Sequence, residues 1–157
     1  MTRPRQPPSI DLAEVAGCML LRVRRLARRA ATIYDRRLEP VGLTISQFGL
    51  MAQIHGTSVS SGSGPSIGSV AERFGMDPTT LNRALKPLVT QAWVAIKSDP
   101  VDRRAKILSV TPKGQAKLIE ALPLWREAEA EVERAIGAGT KREVNRVLDL
   151  ATARLTE

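Results

Sequence analysis

Residues 66–92 read SIGSVAERFGMDPTTLNRALKPLVTQA, and this stretch decides the fold. From Ser66 to Phe74 the apolar residues are Ile67, Val70, Ala71 and Phe74, spaced as one face of a short helix. Gly75 follows, a residue that takes positive φ without a Cβ penalty and so ends a helix. Asp77 and Pro78 then open a second helix. The aspartate is an N-cap, and proline stands at the first helical position, where its missing N–H is no loss. The second helix runs from Thr79 to about Ala92 and turns Leu81, Leu85 and Leu88 inward. Pro87 removes one backbone bond and predicts a bend. The small Ala71 lets the helices cross closely, and Val70, Leu81 and Leu85 plug the crossing. Two short helices joined by a tight glycine turn make a helix-turn-helix.

The outward side of the second helix carries Thr79, Asn82, Arg83 and Lys86, with Ser69, Pro78 and Thr80 beside them. Thr79, Asn82, Arg83 and Lys86 are residue types that hydrogen-bond base edges and phosphates. No acidic residue lies between Pro78 and Ser98. A merely solvated face mixes both signs, so their absence favours an anionic partner. Trp93–Lys97 and Lys106–Val110 read as paired strands, and Ser98–Ala105 as the long basic tip of a hairpin. Arg103 and Arg104 at such a tip suit a narrow minor groove or a phosphate clamp, with Asp102 placed to steady Arg104. The alternative is a plain surface hairpin. Directly after a helix-turn-helix, the hairpin reads as a wing.

Outward from this centre the chain is helical. Ile10–Leu38 reads as one long amphipathic helix of about 40 Å. Leu12, Val15, Met19, Val23, Leu26, Ala30 and Tyr34 share one arc, and Arg22, Arg24, Arg25, Arg28, Arg29 and Arg36 the other. A stripe that long exceeds what a small lobe covers, which points to a second subunit. The arginines read first as a solvated face. Glu39–Leu43 breaks the helix. Thr44–Gly56 forms another, with Ser46 as candidate cap and Ile45, Phe48, Met51, Ala52 and His55 spaced for burial. Thr57–Ser66 reads as a flexible Ser/Gly connector. Thr111 and Pro112 open a helix to about Ile136, bent at Pro123. Thr140 and Glu143 read as a capping box for a last helix carrying Val144, Val147, Leu148, Ala151 and Leu155. The expected class is mainly α with a small β-hairpin wing. The division is a flexible basic arm at 1–9, helical segments at 10–40 and 112–157, and a winged helix-turn-helix lobe at 41–111.

Bulk properties agree with this pattern. The 157 residues carry a formal charge of +8 with 43% hydrophobic content, a surplus that favours an anionic partner. There is no bilayer-length apolar run and no secretory pattern, so a cytoplasmic setting without membrane contact is expected. The single cysteine, Cys18, excludes an internal disulfide. It lies one turn before Arg22, and nearby cations favour thiol reactivity, although Glu14 is equally close. An inert thiol and a redox-sensing regulator are both open readings of it. The single histidine, His55, lacks the partners of a metal site. Phe48, Met51, His55 and Trp125 are candidates for an effector pocket, or alternatively ordinary core. No phosphate-binding glycine loop, nucleophile elbow or zinc pattern is present, so no catalytic residues, cofactor or metal are expected and the chain does not read as an enzyme. A non-specific architectural DNA-binding protein is the rival reading.

Four stretches together resemble the MarR family, the multiple-antibiotic-resistance type of regulators. They are Leu43–Phe48 (LTISQF), Val70–Arg83 (VAERFGMDPTTLNR), Asp99–Ala105 (DPVDRRA) and Leu108–Gly114 (LSVTPKG). The resemblance spans Leu12 to Leu155. It implies an obligate homodimer joined through the first and the two closing helices. It places the Thr79 helix in the major groove and Arg104 in the minor groove of a pseudo-palindromic double-stranded operator, with half-sites about 34 Å apart. It further implies repression relieved by a small, often phenolic or acidic, effector bound between the lobes. Asn82 stands where the family more usually has threonine or serine, Pro87 occurs in part of the family, and the Ser/Gly stretch is longer than usual.

Overall fold

The computed structural model describes residues 15–99 and 105–155. Its order is α1 (Met19–Leu38), a 3-10 turn (Glu39–Val41), α2 (Ile45–Ser61), α3 (Ile67–Arg73), α4 (Pro78–Thr90), β1 (Val94–Ser98), β2 (Lys106–Val110), α5 (Pro112–Ile136) and α6 (Ala138–Leu155). The expected arm at 1–9, the start of the first helix and the wing tip with Asp102, Arg103 and Arg104 lie outside the described residues.

The centre follows the sequence pattern closely. Ser66 caps α3, Gly75 takes φ +59°, and Asp77 caps α4 with Pro78 at its first position. Leu81, Leu85 and Leu88 are 0%, 1% and 0% exposed, which fixes the opposite side of α4 toward solvent. They join Leu38, Met51, Ile54, Val70 and Leu108 in one core enclosed by α2, α3, α4, the hairpin and the start of α5. The strands pair antiparallel with Val94 opposite Val110 and Ser98 opposite Lys106, so β1 begins and ends one residue later than the pattern suggests. Pro87 does not end α4, which continues to Thr90, and α5 runs as one helix through Pro123.

Other expectations need correction. The first helix is not continuous from Ile10: a turn at Gly17 and an extended Cys18 (ψ 121°) interrupt it, and Arg22 Nη1 donates to Gly17 O at 2.8 Å. Glycine is the weak point there, because a helical glycine gives up more backbone entropy than any other residue. The cap of α2 is Thr44 and not Ser46. Thr44 Oγ1 accepts from Gln47 N while Gln47 Oε1 accepts from Thr44 N, a closed capping box. Asp35 Oδ1 takes the neighbouring Ile45 N at 2.7 Å.

Much of the expected flexible connector is helix, since α2 reaches Ser61 before Gly62 stops it at φ +72°. Ser58 Oγ donates to Ile54 O, and Ser60 Oγ and Ser61 Oγ donate to Thr57 O, so the hydroxyls turn back onto the helix. The rest is pinned: Leu108 N donates to Pro65 O at 2.9 Å, and Ser66 bridges Ile107 at the edge of the hairpin. Thr140 is not a cap either. It sits inside α6, which begins at Ala138 directly after Gly137 (φ +83°), and Glu143 pairs with Arg146.

Polar and charged groups fasten α1 to α5, and α5 to α6. Tyr34 Oη donates to Glu129 Oε1 at 2.6 Å, Lys141 Nζ pairs with Glu129 at 2.5 Å, and Arg36 and Arg37 both pair with Glu131. Burial, then the bond to Glu129, pushes the Tyr34 hydroxyl well above its usual range. Burial works to raise the Glu129 carboxyl, yet hydrogen bonds from Lys141 and Tyr34 outweigh it and hold the group below the usual carboxylate range. Beside this clamp an apolar face is left open. Met19, Leu20, Leu21 and Leu26 of α1, and Val147, Leu148, Leu150 and Leu155 of α6, are all exposed. No helix among the described residues is long and apolar enough to cross a membrane.

Between α4 and β1 lies a non-glycine residue at positive φ, Ala92 at +56°. An L-residue there costs about 1–2 kcal/mol relative to right-handed backbone, part of which glycine would return as greater freedom when unfolded. Ala92→Gly is therefore expected to raise stability by about 0.5–1 kcal/mol in chemical denaturation. A loss of stability would show that the Ala92 methyl is worth more than the strain.

Candidate nucleic-acid interface

The reading face of α4 is built from its cap outward. Asp77 Oδ1 accepts from Thr79 N at 2.9 Å and Thr80 N at 3.0 Å, and Asp77 Oδ2 accepts from the Thr80 hydroxyl at 2.6 Å. The Thr80 hydroxyl, followed by its backbone N–H, holds the Asp77 carboxyl below its usual range. Thr80 is thus a fixed part of the cap, with its hydroxyl proton committed. Ser69 is similar, since its Oγ donates to Ser66 O at 3.0 Å. Thr79, Asn82, Arg83 and Lys86 are exposed along with Pro78. Among the described residues, none of the ion pairs involves Arg83 or Lys86. The face therefore presents a hydroxyl, an amide, a guanidinium and an ammonium, with no carboxylate between them.

The wing strands add Lys97 and Lys106, both exposed, with Lys106 Nζ donating to Ser98 Oγ at 3.0 Å. Asp99 N donates to Ala105 O at 3.0 Å, closing the base of the tip. Arg103 and Arg104 lie outside the described residues.

One part of the arrangement has no short-range signal in the sequence. The turn Gln91–Trp93, which joins α4 to the wing, is gripped by the first two turns of α5. Thr111 Oγ1 donates to Ala92 O at 2.7 Å and accepts from Gly114 N at 3.0 Å, and Thr111 N donates to Trp93 O at 3.0 Å. Lys113 Nζ donates to Gln91 O at 3.0 Å. Lys117 Nζ stands 5.6 Å from the centre of the Trp93 ring and donates to Val41 O at 3.2 Å. The Thr111 cap was legible; the two lysines reach partners more than twenty residues away and were not.

The other candidate residues fall elsewhere. Phe48 and Trp125 stack with centroids 5.9 Å apart, and Phe48 and Met51 are buried in the core, with His55 only partly covered. Cys18 is exposed at the cap of α1. No group of three or more potential metal ligands occurs among the described residues.

A glycine-turned helix pair, an exposed acid-free second helix and a hairpin behind it define a winged helix-turn-helix protein. No family model matches the sequence, and no curated protein does. Solved structures do. The transcriptional regulator MosR of M. tuberculosis, in complex with DNA, is 34% identical over 87% of this chain and 97% of that one, with a TM-score of 0.70. On this likeness the chain belongs to the MarR family of transcriptional regulators. The fold is shared more widely. A MarR variant from E. coli complexed with operator DNA is 18% identical (90% of this chain, 99% of that one; TM-score 0.76). A Bordetella bronchiseptica BpsR structure, on regulation of its DNA binding by 6-hydroxynicotinic acid, is 20% identical (87% and 94%; TM-score 0.72).

Proposed function

We propose that this chain is a sequence-specific double-stranded DNA-binding repressor that acts as a cytoplasmic homodimer and is released by a small acidic or phenolic effector. The observation that carries the reading is the exposed face of α4, where Thr79, Asn82, Arg83 and Lys86 stand without a carboxylate. The DNA-bound MosR relative supports the partner. Residues 41–111 form the reading lobe in this account, and 10–40 with 112–157 the dimerisation lobe. The exposed apolar faces of α1 and α6 supply the surface for a second copy. BpsR is the precedent for an acidic effector.

Binding has two components. Lysines and arginines displace counterions from the phosphates, giving affinity that falls steeply with salt. The α4 side chains then read base edges in the major groove, while the wing arginines Arg103 and Arg104 follow the backbone or the minor groove. An effector acts by changing the spacing of the two α4 helices, a two-state change in dimer geometry.

The test is fluorescence anisotropy against a duplex from the protein's own upstream region and a scrambled duplex, at two salt concentrations. The expected preference for the native duplex is on the order of 10³ or more, with one dimer bound. Equal affinity for both, with a steep salt slope, would favour the architectural reading instead.

A further inference from the structure

We propose that Lys117 is a positioning residue for the wing: it locks the wing root to the body of the protein and so sets where the wing meets DNA. The inference rests on the DNA-binding reading above and deepens it. Three elements meet at this one ammonium group. Lys117 belongs to α5, donates to Val41 O in the turn between α1 and α2, and caps the ring of Trp93 immediately before β1. It also pairs with Glu120 at 2.7 Å, and its side chain is only 20% exposed, so its donors are committed inside the protein rather than offered to phosphate. Trp93 is itself nearly buried, at 9%.

Geometry explains why such a lock matters. The wing is a two-stranded hairpin whose root is seated in the core through Val94, Leu108 and Val110, with the Pro65–Ser66 segment along its edge, while Lys97, Ser98 and Lys106 at the far end are exposed. Five residues of strand make a lever of about 17 Å, so a tilt of about 10° at the root moves the far end by about 3 Å. That is the whole length of a hydrogen bond to a phosphate. The turn at the root carries Ala92 at positive φ, a conformation that its surroundings must hold in place. Lys113 holds the Gln91 carbonyl, and Thr111 holds the backbone carbonyls of Ala92 and Trp93. Lys117 alone of the three grips the Trp93 side chain, on the wing side.

The experiment is a double-substitution cycle between Lys117 and Arg104, read as operator affinity and salt slope, with thermal unfolding of each variant as the check on folding. Lys117→Met is expected to weaken operator binding roughly tenfold and to lower the salt slope as Arg104→Ala does. Because a misplaced wing has nothing left to lose, the double variant is expected to be no weaker than the worse single one. Lys117→Arg keeps a cation over the ring and is expected to restore near-native affinity. Losses that multiply in the double variant, or a Lys117→Met protein that binds normally, overturn the proposal. If Lys117→Met does not fold, Lys117→Gln enters the same cycle and is judged by the same two outcomes. An Arg104→Ala protein with unchanged affinity and slope removes the wing from the contact set and the proposal with it, while operator preference over scrambled DNA still tests the broader reading.

Discussion

Arg83→Ala, present in both subunits of a dimer, is expected to cost operator binding about 2–6 kcal/mol, or 1–3 kcal/mol for each half-site. Arg83 is exposed and outside every ion pair among the described residues, so removing it disturbs no clamp in the protein. What disappears is a planar group able to bond one guanine edge through two N–H donors. The loss should fall mainly on the native operator. Binding to scrambled duplex should weaken much less, because non-specific affinity is spread over all phosphate contacts. Competition anisotropy at fixed salt measures both. Equal weakening on every duplex would make Arg83 a phosphate contact and move base reading to Asn82 and Thr79.

Gly114→Ala is expected to destabilise the fold by about 3 kcal/mol, near the upper end of what overpacking costs. A Cβ at this position would lie 2.1 Å from Trp93 O, 2.9 Å from Trp93 C and 2.8 Å from Val110 Cγ1. The first two are backbone atoms, so no rotamer change relieves them. The chain must separate α5 from the wing root, which breaks the Thr111 bonds to Ala92 and Trp93. Total stabilities are about 5–15 kcal/mol, so the variant should unfold at a visibly lower denaturant concentration. Gly49→Ala is the control: its Cβ meets nothing within 4 Å inside α2, and the change should be neutral or stabilising by up to about 1 kcal/mol. Similar midpoints for Gly114→Ala and the native protein would mean that the α5–Trp93 contact yields easily.

The helix-turn-helix could be read from sequence because its determinants are local. Gly75, Asp77 and Pro78 act within three or four residues of themselves, and Leu81, Leu85 and Leu88 declare their face by spacing. The same holds for Thr111, which caps α5 as its sequence suggests. The misread boundaries were those decided by competition. Thr44 and Ser46 both offer a hydroxyl at the start of α2, and Gln47 closes the box only with Thr44. The serines after Thr57 favour loops when their hydroxyls bond forward, but Ser58 and Ser60 bond backward and the helix survives as far as Ser61, whose hydroxyl also reaches forward to Ser63 O. On the site, the outward residues of α4 were legible, while the Lys117–Trp93 and Tyr34–Glu129 contacts join distant segments and leave no periodic trace.

As the proposed dimer surface, the apolar face left open on α1 and α6 would make this protein's stability a function of its abundance. Leu20, Leu26, Val147 and Leu148 are exposed in the single chain; in the dimer proposed above they are covered, so association and folding would draw on the same free energy. Dilution should then lower the melting temperature, and operator occupancy should rise more steeply than linearly with the number of chains present. A cell making few copies would hold them partly as single subunits, each with only one half-site reader. Modest changes in synthesis would thus reach the operator amplified before any small molecule acts.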